Sequence, residues 1–143
     1  MRYITKIVLH CSATREGQDF SVETIRAWHK QRGFRDIGYH YVIQRNGDIQ
    51  EGRPVTMQGA HVRGHNKNSI GICYIGGVED SRDYNGNLKP KDTRTHQQME
   101  SLESLISSLM AKHIDATLHG HNEFSAKACP SFDVQKEYKH LIR

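Results

Sequence analysis

Two stretches of the sequence put metal-binding or nucleophilic side chains directly after runs of strand-forming residues: Leu9-His10-Cys11, and Leu118-His119-Gly120-His121 leading on to Cys129. If those strand ends converge, two histidines and a cysteine meet the needs of a catalytic zinc site, which takes three protein ligands and leaves the fourth tetrahedral position to water or substrate. The spacing is neither a CxxC pair nor HExxH, so alone it does not separate such a site from scattered structural histidines. A metal-free alternative uses the same residues: a cysteine hydrolase with Cys129 or Cys11 as nucleophile and a histidine as base. A strand continuing through His10 would turn Cys11 to the opposite face, away from that histidine. Of the ten histidines, His29, His65, His96, His113 and His140 fall on polar stretches that suit solvated or capping side chains, with His29, beside Trp28, also suited to packing.

The elements that must position these residues can be read from the patterning. Tyr3 to Leu9, ending in Ile7-Val8-Leu9, suits a strand buried on both faces, with His10 at its end. Ser21 is a good N-cap for a helix to about Arg32, with Val22, Ile25 and Trp28 on one face and Gly33 as the stop. Tyr39 to Gln44 and Asp48 to Glu51 flank Asn46-Gly47, the signal for a tight hairpin. Ser69 to Ile75, closed by Gly76-Gly77, reads as a central strand holding Cys73 as a buried small residue, and Val78 to Thr93 reads as a long polar loop. Thr95-His96-Gln97-Gln98 has the capping-box form, and Met99, Leu102, Leu105, Ile106, Leu109 and Met110 follow at helical spacing. A short strand around Ala116 to Leu118, a loop through Pro130 and a helix from about Asp133 to Leu141 complete the chain. Alternating strands and helices with one hairpin predict an α/β fold: a single domain over residues 1–143 with a central mixed sheet flanked by helices, in which sites gather at strand ends.

Composition narrows the function classes. At 143 residues, with 36% hydrophobic and 25% charged residues, the chain can bury a real core and is neither disordered nor fibrous. Lys and Arg exceed Asp and Glu by 20 to 16, an excess that suits an anionic polymer as partner without choosing one; Lys89-Pro90-Lys91 with Arg94 reads as a solvated loop. Cys11, Cys73 and Cys129 are too few for a disulfide framework and suit synthesis in a reducing compartment. Lys6 interrupts any apolar stretch at the start, so no signal peptide is expected, and no run approaches membrane-spanning length.

The decisive motifs are Val8-Leu9-His10-Cys11-Ser12-Ala13-Thr14, Ile37-Gly38-Tyr39-His40-Tyr41, Gly59-Ala60-His61, Asn68-Ser69-Ile70-Gly71-Ile72 and Lys127-Ala128-Cys129-Pro130-Ser131-Phe132. In this order they resemble the N-acetylmuramoyl-L-alanine amidase family, and within it the amidase-type lysozymes of bacteriophages, whose fold is shared with animal peptidoglycan recognition proteins. The resemblance runs from about Ile7 to Phe132. It implies a peptidoglycan-recognition-protein-like fold, Zn²⁺ held by His10, His121 and Cys129, and Tyr39 and Lys127 facing the attacking water and the scissile carbonyl. His119 is the competing ligand; His121 is preferred because it follows Gly120 and precedes Cys129 by eight positions, as the family's glycine-histidine element does. The stretch around His61 resembles a substrate-groove loop, which implies substrate contact there. Ala126 stands where the family often has proline, which leaves the loop presenting Lys127 less constrained.

The expected function is hydrolysis of the amide between N-acetylmuramic acid and L-alanine of the stem peptide in peptidoglycan, in the manner of a phage or prophage endolysin. The expected protein is a monomer made in the cytoplasm, without membrane insertion, that reaches the wall after release by another agent. Besides the cysteine hydrolase, the alternative is a module that binds peptidoglycan without cutting it; such relatives typically lack the metal-binding cysteine. Nucleic acid is not the expected partner, and a polymerase-binding second function stays open on composition.

Overall fold

The first strand sets the frame. In the computed structural model, which describes residues 2–142, β1 (Lys6–Cys11) runs two residues beyond the expected end, so His10 and Cys11 lie within the strand. Met1 and Arg143, the two ends of the expected domain, lie outside the described residues. β1 pairs in parallel with β5 (Ser69–Tyr74) on one side and β8 (Thr117–Gly120) on the other. β5 pairs in parallel with β3 (Tyr41–Ile43), which pairs antiparallel with β4 (Ile49–Glu51) across the expected turn at Gly47, where a positive φ favours glycine. The five-stranded sheet has the order β4-β3-β5-β1-β8, the mixed sheet expected.

Alternation along the strands divides the sheet into two unlike faces. Ile7, Leu9 and Cys11 of β1 and Ile70, Ile72 and Tyr74 of β5 join Leu102, Ile106, Leu109 and Met110 of α2 (His96–Lys112) and Val134 of α3 (Val134–Glu137) in the main core. The other face carries α1 (Val22–Gln31), whose Val22 and Ile25 pack on Ile37, Val42 and Ile75. Both helices start as expected. Ser21 accepts from the Thr24 N–H, and Thr95 and Gln98 form the reciprocal capping box. Buried Gln98 also donates to the Ile43 and Ile75 carbonyls and so ties α2 to β3 and to the residue just after β5. Met99 falls off the buried stripe and is 40% exposed, and Trp28 turns outward onto Phe20.

The expected loop from Val78 to Thr93 is instead a second small sheet. β6 (Gly77–Arg82) pairs with β2 (Thr14–Arg15) in parallel and with β7 (Leu88–Pro90) antiparallel. Its strands are polar and mostly exposed, so no hydrophobic alternation marks them; main-chain pairing and Asp83, whose carboxylate accepts the Asn85 and Asn87 N–H groups at the turn, hold it together. Arg94 is not solvated either. It is buried, with its guanidinium on Asp92, Glu137 and the Tyr138 hydroxyl and stacked 3.7 Å from the Phe132 ring centroid. The C-terminal helix breaks after Glu137 and resumes as a single 3₁₀ turn, Lys139–Leu141.

Candidate active site

The cleft lies on the α1 face of the sheet, at the carboxyl ends of β1 and β8. The register Leu9↔Gly120 puts His121, the next residue, level with His10 on the neighbouring strand. His119 pairs instead with Val8, one step down the same face. Its ring is engaged elsewhere, with Nδ1 2.9 Å from Glu123 Oε1 and Nε2 2.7 Å from Thr117 Oγ1. The chain then returns so that Cys129 comes under β1: its Sγ accepts the Cys11 N–H at 3.2 Å and lies 3.8 Å from His10 Nδ1. One ligand atom each from His10, His121 and Cys129 falls within 4.8 Å of the others. Tetrahedral zinc with two nitrogens and a sulfur spaces its donors by roughly 3.3–3.6 Å, so this donor set fits the ion after small side-chain movements.

Tyr39 and Lys127 line the same open cleft, of about 590 Å³. Tyr39, on the segment leading into β3, is half-buried with its ring 5.0 Å from that of His10; burial pushes its hydroxyl well above the usual tyrosine range. Lys127 is exposed, two residues before Cys129. Burial, with the neighbouring imidazoles, holds His10 well below the usual histidine range, and burial followed by the Lys127 charge lowers His121. Both rings are thus neutral at neutral pH, as metal ligation requires. The adjacent Cys11 thiol and burial push the Cys129 thiol up. Cys11 itself faces the core side near Ser131, as strand alternation predicts.

His61, expected at the substrate, stands in the cleft as well. Its Nδ1 is 2.8 Å from His10 Nε2 and its Nε2 is 3.1 Å from Ser69 Oγ, so both nitrogens are engaged within the protein. Burial lowers it to about 3. Sequence reading also passed over His29, which is buried, lines the cleft and accepts the Gly38 N–H at 2.9 Å, and His65, which packs on Phe124. One signal was present: Ser69, Gly71 and Cys73 alternate with Ile70, Ile72 and Tyr74, which marks one face of β5 as hollow.

The geometry can be set beside known proteins. The family model described as N-acetylmuramoyl-L-alanine amidase matches residues 1–132. The chain belongs to that family. This amidase is 44% identical over 130 residues to the endolysin of Escherichia phage T7, covering 91% of this chain and 82% of that protein. Its fold is similar to the N-acetylmuramoyl-L-alanine amidase LysC of Clostridium intestinale, with a TM-score of 0.78 and 28% identity over 96% of this chain and 87% of that one. It also matches the peptidoglycan recognition protein PGRP-SA of the bumblebee, at a TM-score of 0.75 and 28% identity, with 97% and 82% covered. Among the described residues of the amidase no helix is long and apolar enough to cross a membrane.

Proposed function

We propose that this amidase is zinc-dependent and acts as an endolysin, hydrolysing the amide between N-acetylmuramic acid and L-alanine with His10, His121 and Cys129 as metal ligands. The observation that carries this reading is the meeting of those three donors, from β1, the end of β8 and the following loop, beside Tyr39 and Lys127 in one cleft. A zinc ion held there supplies an acidified water and polarisation of the scissile carbonyl. Tyr39, whose hydroxyl keeps its proton across the working pH range, orients the attacking water and donates a hydrogen bond to it or to the leaving nitrogen. The Lys127 ammonium offsets charge that develops on the carbonyl oxygen in the transition state. The cleft lining carries Arg32, Arg63 and Lys127 and, among the described residues, no carboxylate, which suits a stem peptide bearing carboxylates of its own.

The cysteine-hydrolase alternative would use Cys129 as nucleophile with His10, whose Nδ1 lies 3.8 Å from its Sγ, as base, since Cys11 faces the core side of β1. Digestion of purified peptidoglycan before and after chelation and zinc restoration, with mass spectrometry of the fragments, separates the readings. Free stem peptides beginning with L-alanine, lost on chelation and regained with zinc, are the expected result. Activity unchanged by a chelator but lost on thiol alkylation would move the chemistry to cysteine, and wall binding without product would leave a recognition module.

A further inference from the structure

We propose that His61 is a positioning residue, which fixes the tautomer and orientation of His10 through a chain running from His10 to His61 to Ser69 in a slot left open by Gly71. The inference rests on the zinc reading above and names a part of the site that touches neither metal nor substrate. With His10 Nε2 against His61 Nδ1 at 2.8 Å, the nitrogen of His10 left to face Cys129 is Nδ1. A contact between two ring nitrogens holds one proton. A ligating Nδ1 carries none, so the proton sits on His10 Nε2 and is donated to His61 Nδ1. Neutral His61 then carries its own proton on Nε2, which points at Ser69 Oγ 3.1 Å away.

The slot is built for that ring. Ser69 and Gly71 lie on the cleft face of β5, and a Cβ added at Gly71 would come within 2.6–2.7 Å of three His61 ring atoms. A Cβ at Gly59 would come within 3.0 Å of one of the same atoms, Cδ2, from a second direction. The main chain is held as well, since Asn66 Oδ1 accepts both the His61 and Val62 N–H groups at 2.9 Å. The rings of His10 and His61 meet edge to face at 84°, the orientation that aims Nε2 of one at Nδ1 of the other. A substrate-binding histidine needs none of these restraints.

The test is zinc affinity by chelator competition for the wild type, His61→Ala and His61→Asn, with a long-range ¹H–¹⁵N spectrum of the zinc-loaded wild type. Removing an outer-shell partner costs roughly 10–100-fold in metal affinity, so that loss is expected in His61→Ala, with substantial recovery in His61→Asn, whose amide oxygen accepts close to where Nδ1 did. The spectrum is expected to put the proton of His10 on Nε2. Zinc affinity within about twofold of wild type in a natively folded His61→Ala would overturn the proposal, because an outer-shell partner is worth more than that. So would a His10 proton on Nδ1, a readout that stands even if His61→Ala does not fold. Wild-type protein that binds no zinc would instead overturn the zinc reading on which the inference rests.

Discussion

The two faces of the central sheet are made by the same strands and do opposite things. β5 sends Ile70, Ile72 and Tyr74 into the core under α2 and turns Ser69, Gly71 and Cys73, all buried, toward the side that carries the cleft. β1 does likewise, with Ile7 and Leu9 on one side and His10 on the other. Large apolar groups on the first face supply the burial that holds the strands in register, and small groups on the second leave room for histidine rings to converge. The lesson is that a site at strand ends needs a hollow face as much as it needs ligands, and the filled face provides the rigidity that the hollow one gives up.

The largest effect should come from the cleft face, at the two histidines that flank Gly120. His121→Ala is expected to reduce wall digestion to background and to abolish stoichiometric zinc, measured by metal analysis, whereas His119→Ala keeps both because its ring is engaged with Glu123 and Thr117. The reverse pattern would exchange the ligand assignment. Tyr39→Phe should bind zinc normally yet lose on the order of 10²–10⁴-fold in kcat, the usual worth of a positioned proton donor, in assays on soluble muropeptide. On the filled face, Ile72→Ala should cost about 2–5 kcal/mol in denaturant unfolding while zinc stoichiometry below the melting range stays intact.

A smaller effect sharpens the contrast through pH. Burial above all lowers buried His40 from 6.5 to about 4, against the opposing hydrogen bond to the Met57 carbonyl. The unfolded chain takes up the proton that the folded ring refuses, so this contribution is full above pH 6.5 and is lost as pH falls toward 4, on the order of 3 kcal/mol in all. Denaturant midpoints at pH 7 and 4.5 should therefore converge in His40→Asn relative to wild type. An unchanged difference would show that His40 titrates normally in the fold. The smallest effect is expected at the tip of the small sheet, where Tyr84 is fully exposed: Tyr84→Ala should shift stability by no more than about 0.5 kcal/mol in the same assay.

Residues whose surroundings are local were legible in the sequence. Ser21, the Thr95 capping box, Asn46-Gly47 and the Ile7-Val8-Leu9 run each state a nearby hydrogen bond or a burial pattern, and each formed the element expected. What depends on distant partners was not legible. The β6–β7 hairpin is held by main-chain pairing, Arg94 is buried only because Glu137 and Tyr138 arrive from more than forty residues away, and His61 turns inward because Gly71 lies beneath it. The choice of His121 over His119 came from the family resemblance; the strand register, which puts His121 one residue beyond the Leu9↔Gly120 pair, supports that choice.

X-ray absorption spectroscopy at the zinc edge, on wild-type protein and Cys129→Ser, tests most directly whether these three side chains hold the metal. The account predicts one sulfur at about 2.3 Å and two imidazole nitrogens at about 2.0–2.1 Å, with the sulfur gone in the variant. A first shell of nitrogen and oxygen alone in the wild type, or two sulfurs drawn from Cys129 and Cys11 together, would contradict it.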